Sequence, residues 1–464
     1  MTRWPLHPFL ATVAYLVGAY GLTFIPATWV VRPLLVGLAA VAIMLIVARL
    51  AVRSWQAAGV IVGGVWLVMA GIGALLLVPL SVWVASRLSR RVSAVPLSSW
   101  TRGLNLIAAI WLLIALVGAV PLAIQPSPTA EPIVHVDPSR STARPDIYLL
   151  LLDGYARSDT LASVGYDNEP FLSALEERGF QVARDATGMY DTTAEVLVSL
   201  VHGRDTKEVL DAPVGSLTGR RELRGLIHAA PLLDEMRQLG YEIITSAPTY
   251  SLVTLDSADV YLDDGQLNEF ELSVLDDTAL AGIVDAVAPN LLNRVHASRI
   301  RSNFQHVTEV AAADRNQPTF MLAHVMSPHA PFVFDENGHP PPPLACYPSS
   351  CRFGQTRDIG ITDQEFWGLY SEQVDYLNGV VLDTVDELID DPETIIVVFS
   401  DHGARRSAVS RQEWRRTLFA ARMPGVDDPF KGAGHAPAIL PILLNTYFGM
   451  DAPVLSQAAD LGSD

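Results

Sequence analysis

Charge is nearly missing from the first 136 residues of this 464-residue chain, which hold eight arginines, no lysine and a single acid, Glu131. So long a stretch without ionisable groups is not the surface of a soluble domain. Residues 137–464 carry the other 24 basic and 49 acidic side chains, so the formal net charge of −18 averages two dissimilar halves, at +7 and −25. The acidic half lacks a basic stripe and repels phosphate backbones, which excludes a nucleic-acid binder. Two cysteines are too few for a disulfide-scaffolded miniprotein. The second half has the mixed composition of a folded soluble domain, which excludes a disordered chain.

What the first half does have is long apolar runs, at about 8–25, 30–52, 57–86 and 103–124. Each approaches or exceeds the ~20 residues that cross a bilayer as a helix. Trp4, Trp29, Trp55, Trp83 and Trp100 stand near the ends of these runs, as interface aromatics do, and Arg49 can snorkel from the end of the second. The first run is not a cleaved signal peptide, since no small-residue cleavage site follows it and three further runs do. The expected domains are a bundle of about four transmembrane helices over 1–124, a Pro/Ser/Thr-rich extended linker over 125–144, and a catalytic domain over 145–464.

Four crossings would leave both ends of the bundle on one side. With the N-terminus outside, the inner loops hold Arg32, Arg87, Arg90, Arg91 and Arg102 against Arg3, Arg49 and Arg53 outside. The positive-inside rule then places the acidic domain outside the cell membrane. Cys346 and Cys351 can close a small disulfide in the Pro-rich loop, which an oxidising compartment would preserve; two unrelated thiols are the alternative.

The second half reads as an α/β domain with a mostly parallel central sheet. Strands are expected at Ile147–Leu152, Phe180–Ala183, Tyr241–Thr245, Thr319–Val325 and Thr394–Phe399. Helices are expected at Pro170–Arg178 and Phe366–Ile389. Such sheets bind ligands at the carboxyl ends of their strands. There the sequence puts Asp153, Ser327-Pro328-His329 and Asp401-His402-Gly403. Two carboxylates and an imidazole suit a hard or borderline divalent ion. The segment 190–204 adds a hydroxyl at the start of a helix capped by Asp191 or Thr192, with Val196, Leu197 and Leu200 facing inward. A helix N-terminus is where a tetrahedral oxyanion is best held. His324, inside a strand, reads as a packed residue, and His202 as a helix-end residue. Asp335 and His339 read as a solvated loop.

The order of strand–Asp, hydroxyl at a helix start, then strand–Asp-His-Gly resembles the alkaline phosphatase superfamily. It is similar in particular to the sulfatase-like branch with lipoteichoic acid synthases and phosphoethanolamine transferases. Setting Thr193 on the sulfatase Cys of Cys-x-Pro-Ser-Arg brings Leu200, Gly203 and Arg204 into register, and Pro328-His329-Ala330-Pro331-Phe332 resembles the transferases' substrate-side motif. Membrane helices ahead of an exported domain are also typical of those transferases. The resemblance implies Thr193 as nucleophile and metal ligand, with Asp153, Asp401 and His402 completing the shell of one divalent ion. Manganese is expected, with magnesium, zinc or calcium as alternatives. It implies His329, and more weakly His435, as substrate contacts.

The departures sharpen this. Position 193 is neither Cys nor Ser and Pro-Ser-Arg is absent, so formylglycine chemistry is not available and a phosphate ester is favoured over a sulfate. Gly154 follows Asp153 where a second Asp would stand, which points to one metal. The expected function is transfer of phosphoglycerol or a similar group from or to a membrane lipid or envelope glycan. Hydrolysis alone, by an extracytoplasmic phosphodiesterase or phosphatase, is the nearest alternative; a non-catalytic envelope-binding protein is the second. A channel or transporter is disfavoured because the apolar runs contain no Asp, Glu or Lys.

Overall fold

The computed structural model describes residues 4–21, 23, 25–69, 97–123, 131–139, 144–248, 250–341, 361–406, 410–430 and 433–456. Cys346 and Cys351 lie outside the described residues, as do Arg87, Arg90, Arg91 and the second half of the third apolar run. The chain divides into two compact units, 1–126 with 267–289, and 127–266 with 290–464.

The first unit is built on α1 (His7–Tyr20), α2 (Val31–Val52), α3 (Trp55–Met69) and α4 (Leu97–Ala123). Two stretches, Ala27–Val52 and Leu97–Val120, are long and apolar enough to cross a membrane. Their large side chains point outward: Leu35, Val36, Leu106, Ile107, Leu113 and Val117 are all more than half exposed. A face so apolar is stable only against lipid or another protein.

The polar residues of this unit fix its helix directions. The His7 N–H donates to Asn105 Oδ1 (2.8 Å), and His7 Nε2 lies 2.9 Å from the Gly59 carbonyl. Trp4 packs on Trp55, Tyr15 on Trp66, and Trp66 on Trp111. Thus α3 and α4 both begin beside the start of α1 and run parallel to it. Val41 and Leu45 pack beside Phe9, whereas Leu34 lies by Leu16, so α2 runs the opposite way. The chain therefore enters this unit at one end and leaves α4 at the other. That differs from the even number of crossings expected from the sequence, which would return it to the starting side. Among the described residues two stretches have the required length and hydropathy, and part of the third expected crossing lies outside them, so four crossings are not confirmed.

The second unit is an α/β domain. In chain order it contains β1 (Ile147–Leu152), α5 (Ser158–Ser163), α6 (Glu169–Glu177), β2 (Gln181–Val182), α7 (Thr193–His202), α8 (Thr206–Val209), α9 (Leu217–Ala229), α10 (Pro231–Gln238), β3 (Glu242–Ser246) and β4 (Val260–Leu262). Two helices of the first unit follow, α11 (Glu269–Asp276) and α12 (Leu280–Val287). The second unit then resumes with α13 (Leu291–Ala312), β5 (Thr319–Val325), α14 (Asp363–Leu388), β6 (Ile395–Phe399), α15 (Arg411–Trp414), β7 (Phe419–Arg422) and α16 (Ile439–Phe448).

The seven strands form one sheet in the order β2-β7-β6-β1-β5-β3-β4. Strands β6, β1, β5, β3 and β4 are parallel, while β7 and β2 pair antiparallel at one edge. The expected strands are all present, with ends shifted by a residue or two. The short β4 and the antiparallel β7 were not expected. All six residues of β1 are buried, as a central parallel strand covered on both faces requires. Tyr148, Leu150 and Leu152 alternate onto one face, where α13 supplies Ile300, Phe304 and Val307 and α14 supplies Val374, Leu377, Val381 and Val385. Burying each such side chain stabilises the fold by about 1.5–3 kcal/mol.

The expected free linker is partly docked. Val136 donates its N–H to Glu235 Oε2 (2.8 Å), and Ile133 lies against Gly203. Gly203 ends α7 at φ +65°, and a Cβ there would come within 2.4 Å of the Ile133 side chain. Glycine is needed on both counts.

Candidate functional site

The three central strands deliver the site. In the sheet β1 lies between β6 and β5, so Asp153, Asp401-His402 and, two residues further on, His329 emerge side by side from neighbouring carboxyl ends. The His329 N–H donates to the Asp153 carbonyl (2.9 Å), and the Gly154 N–H to Asp401 Oδ1 (3.1 Å), which ties the three turns together. Gly154 has φ +75°, a conformation that favours glycine, and a Cβ there would lie in van der Waals contact with both His329 and His402 at 3.4 Å.

Buried polar side chains beneath the turns hold them in place. The Tyr370 hydroxyl donates to the Gly154 carbonyl and accepts from the Ala156 N–H, both at 2.8 Å. Gln373, one turn further along α14, donates to the Pro328 carbonyl and accepts from the Val333 N–H. Ser400 Oγ accepts from the Tyr155 N–H and donates to the His402 carbonyl. The long helix expected at Phe366–Ile389 is thus also the support for the His329 loop.

Thr193 is the first residue of α7, capped by the Thr192 side chain, which accepts from the Glu195 N–H. Its hydroxyl donates to Asp153 Oδ2 at 3.4 Å. His324 Nε2 lies 3.1 Å from the same oxygen. A carboxylate can only accept, so His324 carries its proton on Nε2. His324 is buried as expected of a strand residue, but it is not mere packing: its imidazole orients Asp153. Register explains this. His324 pairs with Leu151, and its side chain reaches the turn that follows β1.

On the other side of Asp153, three buried acceptors converge without hydrogen-bond partners among the described residues: Asp153 Oδ1, Asp401 Oδ2 and His402 Nε2. His402 Nε2 is 3.5 Å from Asp153 Oδ1 and 3.4 Å from Asp401 Oδ2. His402 Nδ1 lies 2.8 Å from the Gly403 carbonyl, so it must hold the ring proton and leave a lone pair on Nε2. His329 does the same through its Nδ1 and the Ala330 carbonyl (2.6 Å), and its ring meets that of His402 edge-on. Asp153, His329 and His402 each bring a ligand atom within 4.8 Å of the other two.

Orphaned buried acceptors cost free energy unless something positive sits among them. Their spacing matches the roughly 3.3 Å edge of a tetrahedron with bonds of about 2.0–2.1 Å. The residues therefore fit a divalent cation. Burial pushes the His402 imidazole down to about 4, with Arg405 adding to the effect against Asp401 and Asp153, so it is neutral at physiological pH, as a ligand must be. Burial alone would raise the Asp153 carboxyl. The His329 and His402 imidazoles and the His324 hydrogen bond instead hold it well below the usual range.

Not every expected residue joins this cluster. His435 is fully buried with Nε2 on the Leu455 carbonyl (2.9 Å), and makes no described contact with Asp153, Asp401 or His402. Gly203-Arg204 follow the far end of α7, about 15 Å along the helix from Thr193 at 1.5 Å per residue. His202 packs at that end on the Leu226 carbonyl (2.8 Å). His339 is solvent-exposed beside Asp335, as expected. Arg405 was not expected: Nε and Nη2 of its guanidinium are buried without a hydrogen-bond partner among the described residues. Its signal was the basic pair Arg405-Arg406 just after the Asp-His-Gly turn. Arg406 instead donates to Asp363 and the Ile361 carbonyl.

Residues 249–431 match the Sulfatase family model, a segment that includes His329, Asp401 and His402. The match to that family spans less than half of the chain. The resemblance read from motif order is borne out, and with it the sulfatase-like enzyme class. Three solved structures are similar at 13% identity. The C-terminal periplasmic domain of EptC from Escherichia coli, in complex with Zn, has a TM-score of 0.44 over 70% of this chain and 87% of that one. The integral membrane lipooligosaccharide phosphoethanolamine transferase A of Neisseria meningitidis has 0.41 over 96% of each chain. The lipoteichoic acid synthase LtaP of Listeria monocytogenes has 0.38 over 70% and 78%. No curated protein matches the chain.

Proposed function

We propose that this protein is a membrane-anchored, metal-dependent phosphoester transferase or hydrolase whose nucleophile is Thr193. One observation carries the reading. A hydroxyl at a helix N-terminus shares Asp153 with an adjoining buried cluster of orphaned acceptors, Asp153 Oδ1, Asp401 Oδ2 and His402 Nε2. These residues and Thr193 would hold one divalent cation, which when bound supplies a lower pKa for the Thr193 hydroxyl and neutralises charge on the phosphoryl oxygens. The donor set of carboxylates and imidazole admits manganese, zinc or magnesium.

The chain's own groups account for the remaining steps. The hydrogen bond from Thr193 to Asp153 Oδ2 orients Oγ1, and Oγ1 forms its bond to phosphorus as the bond to the leaving oxygen breaks. The free N–H groups of the first turn of α7 face the equatorial oxygens. His329, whose Nε2 carries the lone pair, takes the proton that Oγ1 gives up and hands it to the leaving oxygen; in the second half it takes one from the hydroxyl that attacks the phosphothreonine and returns it to Oγ1. Arg405, with its unpartnered guanidinium nitrogens, holds a further anionic oxygen of the substrate. An alcohol on a lipid or envelope glycan as acceptor gives transfer, of phosphoglycerol or a similar group; water gives hydrolysis. A Thr in place of a formylglycine precursor favours a phosphate ester over a sulfate.

Helix direction supports an exported catalytic domain. Arg49, Arg53 and Arg102 gather at the end of the first unit where α1 begins, with Arg3 adjacent in sequence. Arg32 stands at the other end and is paired with Glu271. By the positive-inside rule the N-terminus is then cytoplasmic and the end of α4 is outside. This reverses the N-terminal placement expected from four crossings and keeps the same location for the domain.

The test is turnover of a chromogenic phosphodiester and of its sulfate-ester counterpart by the full-length protein in vesicles, with and without Mn²⁺ or Zn²⁺. Metal-dependent phosphodiester cleavage abolished by Thr193→Ala is expected. Cleavage of the sulfate ester in preference, or activity that survives Thr193→Ala, overturns the reading.

A further inference from the structure

The chain between β4 and α13 is encoded inside the catalytic half, yet it forms one unit with α1–α4. Three contacts attach it. Phe270 on α11 is buried against Leu16 and Ile25, with Val274 packed beside them. Glu271 accepts from both Nε and Nη2 of Arg32, at the start of α2, and also closes the capping box with Asn268. The Ala279 N–H donates to the Met69 carbonyl at the last residue of α3. All three contacts lie at the end of the bundle away from Trp4, Arg49 and Asn105.

This bracket presents α12, whose sequence LAGIVDAV holds one charged residue. Ile283 is 50% exposed and Val287, one turn on, is 76% exposed. Beyond residue 126, no other large apolar side chain among the described residues is as exposed; Leu217, at 44%, comes next. In the same unit Val31, Leu35 and Val36, at the start of α2 around Arg32, are each more than half exposed as well.

We propose that α12 is a lipid-contacting element, with Ile283 and Val287 immersed in the headgroup–acyl boundary of the leaflet at the end of α4, and that α11 is the clamp that holds it there. The occupant is bilayer lipid because α12 belongs to the same unit as helices whose length and hydropathy suit a membrane, and because an isolated apolar helix face lies in the interfacial plane. The inference rests on the membrane reading above but not on the chemistry of Thr193.

The test reads position, not turnover, so its failure is distinguishable from failure of the phosphoester reading. Single cysteines Ile283→Cys, Val287→Cys and Leu217→Cys, made in a Cys346→Ser/Cys351→Ser background, carry an NBD fluorophore on the full-length protein in phosphatidylglycerol/phosphatidylcholine vesicles. At 283 and 287, blue-shifted emission quenched by nitroxide-labelled lipid and shielded from iodide is expected, with the reverse at 217. Iodide quenching at 283 and 287 equal to that at 217 overturns the proposal. Shielding from both quenchers also overturns it, since that indicates a second protein copy. Should the labelled variants misfold, hydrogen exchange of the wild-type 280–287 peptide decides: slower exchange in vesicles than in detergent is expected, and equal exchange contradicts it.

Discussion

His402 Nε2 stands 3.4 Å from Asp401 Oδ2, and neither atom has a hydrogen-bond partner among the described residues although both are buried. Two acceptors that close, sealed from water, are tolerated only if a cation joins them. Asp401→Asn and His402→Ala are therefore each expected to lower divalent-ion affinity at least a hundredfold. Metal analysis and calorimetry on the purified protein check this. The wild type should melt at higher temperature with saturating ion than after chelation, and Asp401→Asn should show no such difference.

His324 acts through Asp153 rather than on substrate. Removing its hydrogen bond with His324→Ala should loosen the Asp153 carboxylate and weaken ion binding by 10–100-fold, the range typical of groups that orient metal ligands. Far-UV circular dichroism should be unchanged. Unaltered ion affinity would return His324 to a packing role.

Gly154 stands at φ +75° beside His329 and His402. Gly154→Ala should cost about 1–2 kcal/mol for the left-handed conformation, a strain borne in van der Waals contact with His329 and His402. Denaturant unfolding should register the loss, and ion affinity should fall with it. An unchanged unfolding midpoint would contradict the assigned geometry.

Acid should destabilise the chelated protein in a defined window. Burial pushes His402 down to about 4 and His296 down to about 3, and also lowers His202, all from an ordinary value near 6.5. These rings are buried neutral, so between those values the unfolded chain binds more protons than the folded one. The stability they contribute is fully present above pH 6.5 and is lost as pH falls toward 4 and 3. Each ring contributes a slope of up to about 1.4 kcal/mol per pH unit within its own window. Urea midpoints measured from pH 7.5 to 4 should fall on this course; a flat profile would contradict it.

Much of this was legible in the sequence because burial writes itself into periodicity. The unbroken run at Ile147–Leu152 could only be a strand covered on both faces, and an acid directly after it had to lie at a sheet edge where ligands bind. The pairing of His324 with Asp153 was not legible, because it depends on the register between β1 and β5, which are separated by 166 residues. Membership of 267–289 in the membrane unit was equally hidden. Phe270 and Glu271 look like ordinary helix residues until Leu16 and Arg32 are placed beside them. The direction of α4 turned on Asn105, one amide in an apolar helix, which binds His7 and Trp4.

In the proposed reaction Thr193 becomes covalently phosphorylated. Acid quenching of full-length protein mixed with a phosphodiester and Mn²⁺, followed by peptide mass spectrometry, tests it most directly. A phosphoryl adduct on Thr193 in the wild type, enriched in His329→Ala where the second half-reaction is slowed, is the predicted result. Turnover with no adduct at Thr193 in either protein would contradict the account.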